Sequence, residues 1–179
     1  MNVLILHGIL GKAGENWEQW LHDELISKSY TVTMPNLPNP DHPDRQKWLA
    51  QVTENIKNPE ETIIVAHSLG VTSGLDYLEK ATQPIKGFVS VSGFAGDIGL
   101  ELNSYFLNEK AIDFELVNKN IGKAFVFFGD NDPYVLQASL HMLANDLKVN
   151  PVIIPGGGHL NTTAGFTEFP QVLDAVLSV

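Results

Sequence analysis

In the stretch "IIVAHSLG" (63–70), an apolar run is followed by a serine and a glycine, and the same kind of pattern recurs in the rest of the chain. A short run of Ile and Val that is apolar on both faces is typical of a strand buried in a parallel sheet. A serine directly after such a strand fits two structures. It can cap the following helix, or it can occupy the sharp strand-to-helix turn written G-x-S-x-G, which presents the hydroxyl. Ala66 stands at the first glycine of that motif, and a methyl group is small enough for the turn.

Five further apolar runs share the character of the first one. They are "NVLIL" (2–6), "YTVTM" (30–34), "GFVSVS" (87–92), "AFVFF" (124–128) and "PVIIP" (151–155). Segments with helical spacing lie between them, at 16–28, 42–57, 69–80, 134–147 and 169–178. Strands that alternate with helices predict an α/β fold, a three-layer sandwich with six parallel strands in the order 2-1-3-4-5-6. The segment 93–121 has no clear period and indicates either part of a binding site or a surface loop with one short helix.

Length and composition indicate the number of domains and exclude several classes of partner. A length of 179 residues favours a single domain spanning 1–179. The formal charge of −10 argues against a nucleic-acid partner, which needs a basic face. The chain has no cysteine and no metal-ligand spacing such as H-E-x-x-H, so we expect neither metal nor cofactor. No apolar run approaches the ~18 residues of a spanning helix, and the apolar start lacks the basic residues of a signal peptide. We therefore expect a cytoplasmic protein without a membrane partner.

Polar motifs follow four of the predicted strands. They are "HGILG" (7–11), "HSLG" (67–70), "GDNDPYV" (129–135) and "GGGH" (156–159). In open α/β sheets, ligands bind outside the carboxyl ends of the strands, so these motifs should meet at one edge of the sheet. This convergence predicts a site that contains a serine, an aspartate and a histidine.

The residue types at that edge suit nucleophilic catalysis. Ser68 is the candidate nucleophile, and His159 is the candidate base because imidazole titrates near neutrality. Asp132 is favoured over Asp130 as the acid that orients the histidine. The alternatives are a loop histidine without a role and an aspartate that caps the next helix. Backbone N–H groups of Ile9 and Leu69 would form the oxyanion hole.

The same motifs resemble those of the α/β-hydrolases. More narrowly, "HG" (7–8), "AHSLG" (66–70), "GDNDPYV" (129–135) and "GGGHLNTTAGFTEFP" (156–170) resemble the small serine hydrolase family that includes the retinoblastoma-binding serine hydrolase. The resemblance covers nearly the whole chain. It implies Ser68 as nucleophile, Asp132 as acid and His159 as base, and a carboxylesterase-like activity on small esters. The departure from the general hydrolase motif is Ala66.

The chain leaves no room for a large lid, so we expect a shallow pocket or one formed by 93–110. Candidate pocket residues are His7, Phe94, Tyr105 and Phe106, and the three aromatic residues fit the core equally well. The expected partner is a small-molecule ester. Two alternatives stay open: a hydrolase fold that serves as a protein-binding module, and acyl transfer or thioester hydrolysis at the same site.

Overall fold

The computed structural model describes residues 1–96 and 98–179, and for Leu102 the backbone only. Its described residues form a parallel sheet in the order β2-β1-β3-β4-β5-β6, which confirms the predicted order. The strands are β1 (Asn2–Leu6), β2 (Thr31–Thr33), β3 (Thr62–His67), β4 (Ile85–Val91), β5 (Ile121–Gly129) and β6 (Val152–Ile154). The two edge strands, β2 and β6, have three residues each, fewer than their apolar runs, and each pairs with one neighbour.

Helices cover both faces of the sheet. They are α1 (Glu18–Ser27), α2 (Arg45–Asn55), α3 (Leu69–Lys80), α4 (Glu101–Leu107), α5 (Phe114–Lys119), α6 (Gln137–Asp146) and α7 (Pro170–Leu177). Short 3₁₀ turns occur at Pro59–Glu61 and Thr162–Ala164. The segment 93–121 therefore contains two short helices, α4 and α5, whereas one interpretation of its sequence was a surface loop with a single short helix. None of the helices in the described part of the chain is long and apolar enough to cross a membrane.

Side chains alternate along each strand, so each strand contributes to two cores. In β1, Leu4 and Leu6 join the core that also contains Trp48 of α2, and α3, α5 and α6 pack on this face. The intervening Ile5 joins the second core, which contains Trp17 and the apolar residues of α1 and α7. The central strand β3 is buried along its whole length, as its unbroken apolar run predicts.

A buried ion pair fastens α4 to the helices beneath it. The guanidinium of Arg45, the first residue of α2, donates from Nε and Nη2 to the two carboxylate oxygens of Asp76 in α3, at 2.7 and 2.9 Å. Both side chains are 1% exposed. Arg45 Nη1 also donates to the carbonyl oxygens of Phe106 and Leu107, at 3.0 and 3.2 Å. These carbonyls end α4 and have no partner within the helix, so one arginine joins three helices.

Candidate active site

Ser68 lies at the sharp turn between β3 and α3. Its φ of 54° and ψ of −127° place it in a region that non-glycine residues rarely adopt. The backbone is held there because the Ser68 N–H donates to the carbonyl of Val91 at 2.9 Å. The Ser68 side chain makes no capping hydrogen bond to α3. The strained turn thus leaves the hydroxyl available for another partner, which separates it from an ordinary helix cap.

The space around the turn explains which neighbours must be small. A Cβ at Gly70 would clash with the carbonyl oxygen of His7, and a Cβ at Gly8 would lie 2.8 Å from the Ser68 Cβ. The loops after β1 and β3 therefore touch backbone to backbone. Ala66, on the strand side, is fully buried and its methyl group fits the core.

A hydrogen-bonded chain runs from Ser68 through His159 to Asp132. The Ser68 hydroxyl lies 3.0 Å from His159 Nε2, and His159 Nδ1 lies 2.8 Å from Asp132 Oδ2. A carboxylate only accepts, so Nδ1 carries the proton and Nε2 is free to accept from the hydroxyl. The other carboxylate oxygen, Oδ1, accepts the backbone N–H groups of Tyr134 and Val135, at 2.9 and 3.0 Å.

The two candidate aspartates have different surroundings. The Asp132 side chain is fully buried, whereas Asp130 is exposed and its Oδ1 accepts the Gly156 N–H at 2.7 Å. Asp132 closes a tight turn, and α6 begins only at Gln137, so Asp132 is not the cap of that helix. The turn also explains why α6 starts three residues later than its apolar spacing predicted.

Two ring N–H groups hold the loop that carries His159. Trp17 Nε1 donates to the carbonyl of Leu160 at 2.9 Å. His67 Nε2 donates to the carbonyl of His159 at 3.0 Å. Burial and, to a smaller extent, the nearby imidazole of His159 lower the pKa of His67 to about 3, so His67 is neutral. Leu160 of this loop has a φ of 49°, a backbone conformation that non-glycine residues rarely adopt. Sequence reasoning missed this role of Trp17, whose visible signal was a place on the apolar face of the helix predicted over 16–28.

His7 holds the loop after β1. Its Nδ1 donates to the carbonyl of Gly8 at 2.8 Å, and its Nε2 accepts the N–H of Leu37 at 2.9 Å. These two bonds require the neutral ring, and burial lowers the pKa of His7 accordingly. The loop places Ile9 beside the cavity described below. Leu69 is the first residue of α3, so its N–H has no partner within the helix and lies at the positive end of the helix dipole.

Ser68 and His159 line a cavity of about 330 Å³. Its apolar wall consists of Ile9, Phe94, Ile98, Leu100 and Val135. Its polar lining includes His7, Glu15, Asn16, Asn103 and Asn161. Of the predicted pocket residues, His7 and Phe94 lie in this lining. No group of three or more His, Cys, Asp or Glu side chains in the described ranges is arranged to hold a metal ion.

The other two predicted pocket residues lie elsewhere. The Tyr105 ring stacks on His42 with 4.6 Å between ring centroids, outside the cavity. Phe106 is buried against Trp48 of α2, with 5.6 Å between ring centroids. A helix turns 100° per residue, so a side chain two positions from Asn103 points away from the cavity. Phe106 lies one turn beyond Asn103 along α4, where it packs against α2.

The fold and this strand-end arrangement define an α/β-hydrolase. The family model described as serine hydrolase matches residues 3–178, and the chain belongs to that family. It is 28% identical to YdeN of Bacillus subtilis strain 168, described as a hydrolase, over 98% of this chain and 94% of YdeN. The crystal structure of YdeN has a TM-score of 0.91 to this chain at 27% identity, covering 99% of this chain and 97% of YdeN.

Two further proteins are similar over most of their length. The rat serine hydrolase RBBP9 is 24% identical over 93% of this chain and 89% of its own. Est1E from Butyrivibrio proteoclasticus, solved with ferulic acid bound, has a TM-score of 0.71 at 16% identity, covering 97% of this chain and 89% of Est1E. At that identity, the likeness to Est1E concerns the fold alone. The protein is thus a serine hydrolase of the α/β-hydrolase type.

Proposed function

We propose that the protein hydrolyses small carboxylic esters through an acyl-enzyme, with Ser68 as nucleophile, His159 as base and Asp132 as the orienting acid. The observation that carries the proposal is the chain of two hydrogen bonds, 3.0 Å from Ser68 Oγ to His159 Nε2 and 2.8 Å from His159 Nδ1 to Asp132. These distances lie within the reach that proton transfer requires.

The first half of the reaction forms the acyl-enzyme. Ser68 Oγ attacks the ester carbonyl carbon while its proton passes to His159 Nε2, and the carbonyl electrons move to the oxygen. Asp132 stabilises the imidazolium through Nδ1–H without taking the proton. The tetrahedral intermediate collapses, and the departing alkoxide receives the proton from Nε2. In the second half, water gives a proton to Nε2 and attacks the acyl carbon. The bond from that carbon to Ser68 Oγ then breaks, Oγ takes the proton back from Nε2, and the acid leaves.

The oxyanion is assigned to the N–H groups of Ile9 and Leu69. Ile9 lines the cavity that contains Ser68, and the Leu69 N–H, at the start of α3, has no partner within the helix. Removal of one such donor typically costs about 10²–10³ in rate. His7 positions this machinery because it fixes the carbonyl of Gly8, the residue between His7 and Ile9.

The cavity supports a small, uncharged substrate. Its volume of about 330 Å³ lies at the lower end of the range for ligand sites, roughly 300–1,000 Å³. No Lys or Arg of the described residues lines it, so nothing there pairs with the phosphates of a coenzyme A thioester. Est1E, which shares the fold, was solved with ferulic acid, a carboxylic acid of the class that ester hydrolysis releases.

A fluorophosphonate probe and a series of p-nitrophenyl esters of increasing chain length test the proposal. The probe should label the wild type and the control Ser27→Ala, whose serine is exposed at the end of α1, and should leave Ser68→Ala unlabelled. Ser68→Ala should lower kcat on the esters by about 10⁴–10⁶-fold. An unlabelled wild type, or equal labelling of Ser68→Ala, contradicts the proposal.

A further inference from the structure

Asn103 is a polar residue in an otherwise apolar part of the cavity. It lies on α4, it is only 2% exposed, and it lines the cavity that contains Ser68 and His159. Its Oδ1 has no hydrogen-bond partner among the described residues. Phe94, Ile98 and Leu100 form the adjoining wall.

An unpaired carboxamide oxygen in such a place is costly. Buried polar groups are nearly always hydrogen-bonded, and an orphaned one calls for a specific reason. The described residues around Asn103 supply no donor to Oδ1, so an apolar side chain would fill the same place without that cost. The oxygen is out of reach of solvent as the side chain stands. A half-turn about χ2 exchanges it with the amide nitrogen, so a ligand that brings a donor into the cavity can then satisfy the oxygen.

Residues of the neighbouring helices α2 and α3 fix the position of α4 and therefore of Asn103. Arg45 holds the last carbonyls of α4, and Asp76 fixes Arg45 in turn through both carboxylate oxygens. Trp48 packs against Phe106, one helical turn beyond Asn103. Because α4 is anchored, the Asn103 side chain stays at one position in the cavity lining, and selective binding requires such a fixed position.

The charge of the lining restricts the ligand. No Lys or Arg from the described part of the chain lines the cavity, and Glu15 contributes a carboxylate. A carboxylate or phosphate on the substrate would therefore have no cationic partner. An ammonium group would lose its hydration against Phe94, Ile98 and Leu100, which is unfavourable. The group that fits beside Asn103 is a neutral donor, a hydroxyl or an amide N–H.

We propose that Asn103 is a specificity-determining residue that accepts a hydrogen bond from a hydroxyl or amide N–H on the substrate. The preferred substrates are then uncharged esters with one such polar group on an otherwise apolar chain. This inference rests on the proposed ester hydrolysis and adds the class of ester. A site that hydrogen-bonds a polar group rejects an analogue without it, because its own group is then left unpaired.

Matched ester pairs test the inference on either side of the scissile bond. The acyl pair is p-nitrophenyl 3-hydroxybutyrate and p-nitrophenyl butyrate. The alcohol pair is 3-hydroxypropyl butyrate and propyl butyrate, followed by acid release. In at least one pair the wild type should prefer the hydroxylated ester by about 10–100-fold in kcat/KM. Asn103→Leu should remove that preference.

Two variants make the comparison specific. Asn103→Asp keeps the acceptor and should keep the preference, whereas loss of the preference in this variant contradicts a donor on the substrate. Ser104→Ala changes the neighbouring residue of α4, which does not line the cavity, and should behave as the wild type. Asn103→Ala replaces Asn103→Leu if the leucine variant does not fold.

The outcomes separate this inference from the proposed function. Hydrolysis of both members of each pair at similar kcat/KM, or a preference that persists in Asn103→Leu, overturns the role of Asn103 alone. A wild type that neither turns over any ester nor reacts with the fluorophosphonate probe overturns the proposed function, and the inference with it.

Discussion

Replacing Glu18 by glutamine should make the stability of the protein much less dependent on pH. Glu18 is the first residue of α1, it is 1% exposed, and its Oε2 accepts the N–H of Gly14 at 3.1 Å. Its Oε1 has no partner among the described residues. Burial, assisted by the charge of Glu15, raises the pKa of Glu18 from 4.5 to about 8. The folded protein therefore holds this side chain protonated at neutral pH.

The sign and size of the effect follow from that shift. The folded state binds the proton more tightly than the unfolded chain does, so this contribution to stability is complete below the unfolded pKa of 4.5. It is lost as the pH rises to about 8. The loss is about 1.4 kcal/mol for each pH unit in this window, or about 3–4 kcal/mol between pH 5 and pH 8. For a chain of this length, that corresponds to a fall in Tm of roughly 10 °C.

Urea unfolding of the wild type and Glu18→Gln at pH 5 and pH 8 measures the effect. Glutamine keeps the acceptor for the Gly14 N–H and has no charge. The free energy of unfolding of the variant, relative to that of the wild type, should therefore be about 3–4 kcal/mol higher at pH 8 than at pH 5. Glu54→Gln, which removes an exposed carboxylate from α2, controls for net charge. Parallel pH profiles for wild type and Glu18→Gln would refute the reasoning.

Three further perturbations address the support of the site. Arg45→Met should lower the free energy of unfolding, measured in urea, by about 3–5 kcal/mol because Asp76 is left buried without its main partner. Adding Asp76→Leu to the same chain should restore much of that loss. A double variant whose loss equals the sum of the losses in the two single variants contradicts this. Trp17→Phe removes the donor to the carbonyl of Leu160, so ester kinetics should show kcat about 10-fold lower with KM unchanged; a change in KM alone argues against a role in holding the loop. Gly70→Ala should cost about 1–3 kcal/mol in thermal unfolding and at least 100-fold in kcat/KM, because its Cβ forces the two loops apart; a fully active variant contradicts the close approach.

The strands and the order of the sheet could be predicted because β-strands buried on both faces leave unbroken runs of Val, Ile and Phe. The candidate site could be predicted for a related reason. Ser68, Asp132 and His159 each follow such a run, and parallel strands bring their carboxyl ends to one edge of the sheet. The structure places the three side chains in hydrogen-bonding contact.

Other features left no pattern that could be read. Tyr105 and Phe106 lie outside the cavity lining, and the segment around α4 lacks a period that could have shown it. The rotation of this short helix turns Tyr105 away from the cavity, and Phe106 lies one turn beyond Asn103. Asn103 was missed for the same reason. The bonds from Trp17 and His67 end on backbone carbonyls, which carry no sequence signature. Asn16 was likewise hidden, because the helix predicted from residue 16 begins only at residue 18 and leaves Asn16 in the loop at the cavity.

The contact between the loops after β1 and β3 has a consequence for how this sequence can vary. Gly8 faces the Ser68 side chain and Gly70 faces the carbonyl of His7, so each loop presents a glycine to the other. Natural drift or a randomised library can therefore change neither glycine alone without a compensating shift of the opposite loop. Position 66 has no such counterpart, and both Ala and Gly should survive selection there. The positions that selection should hold constant are then Gly8 and Gly70, at the contact between the two loops, and not positions 66 and 70, which bracket the serine.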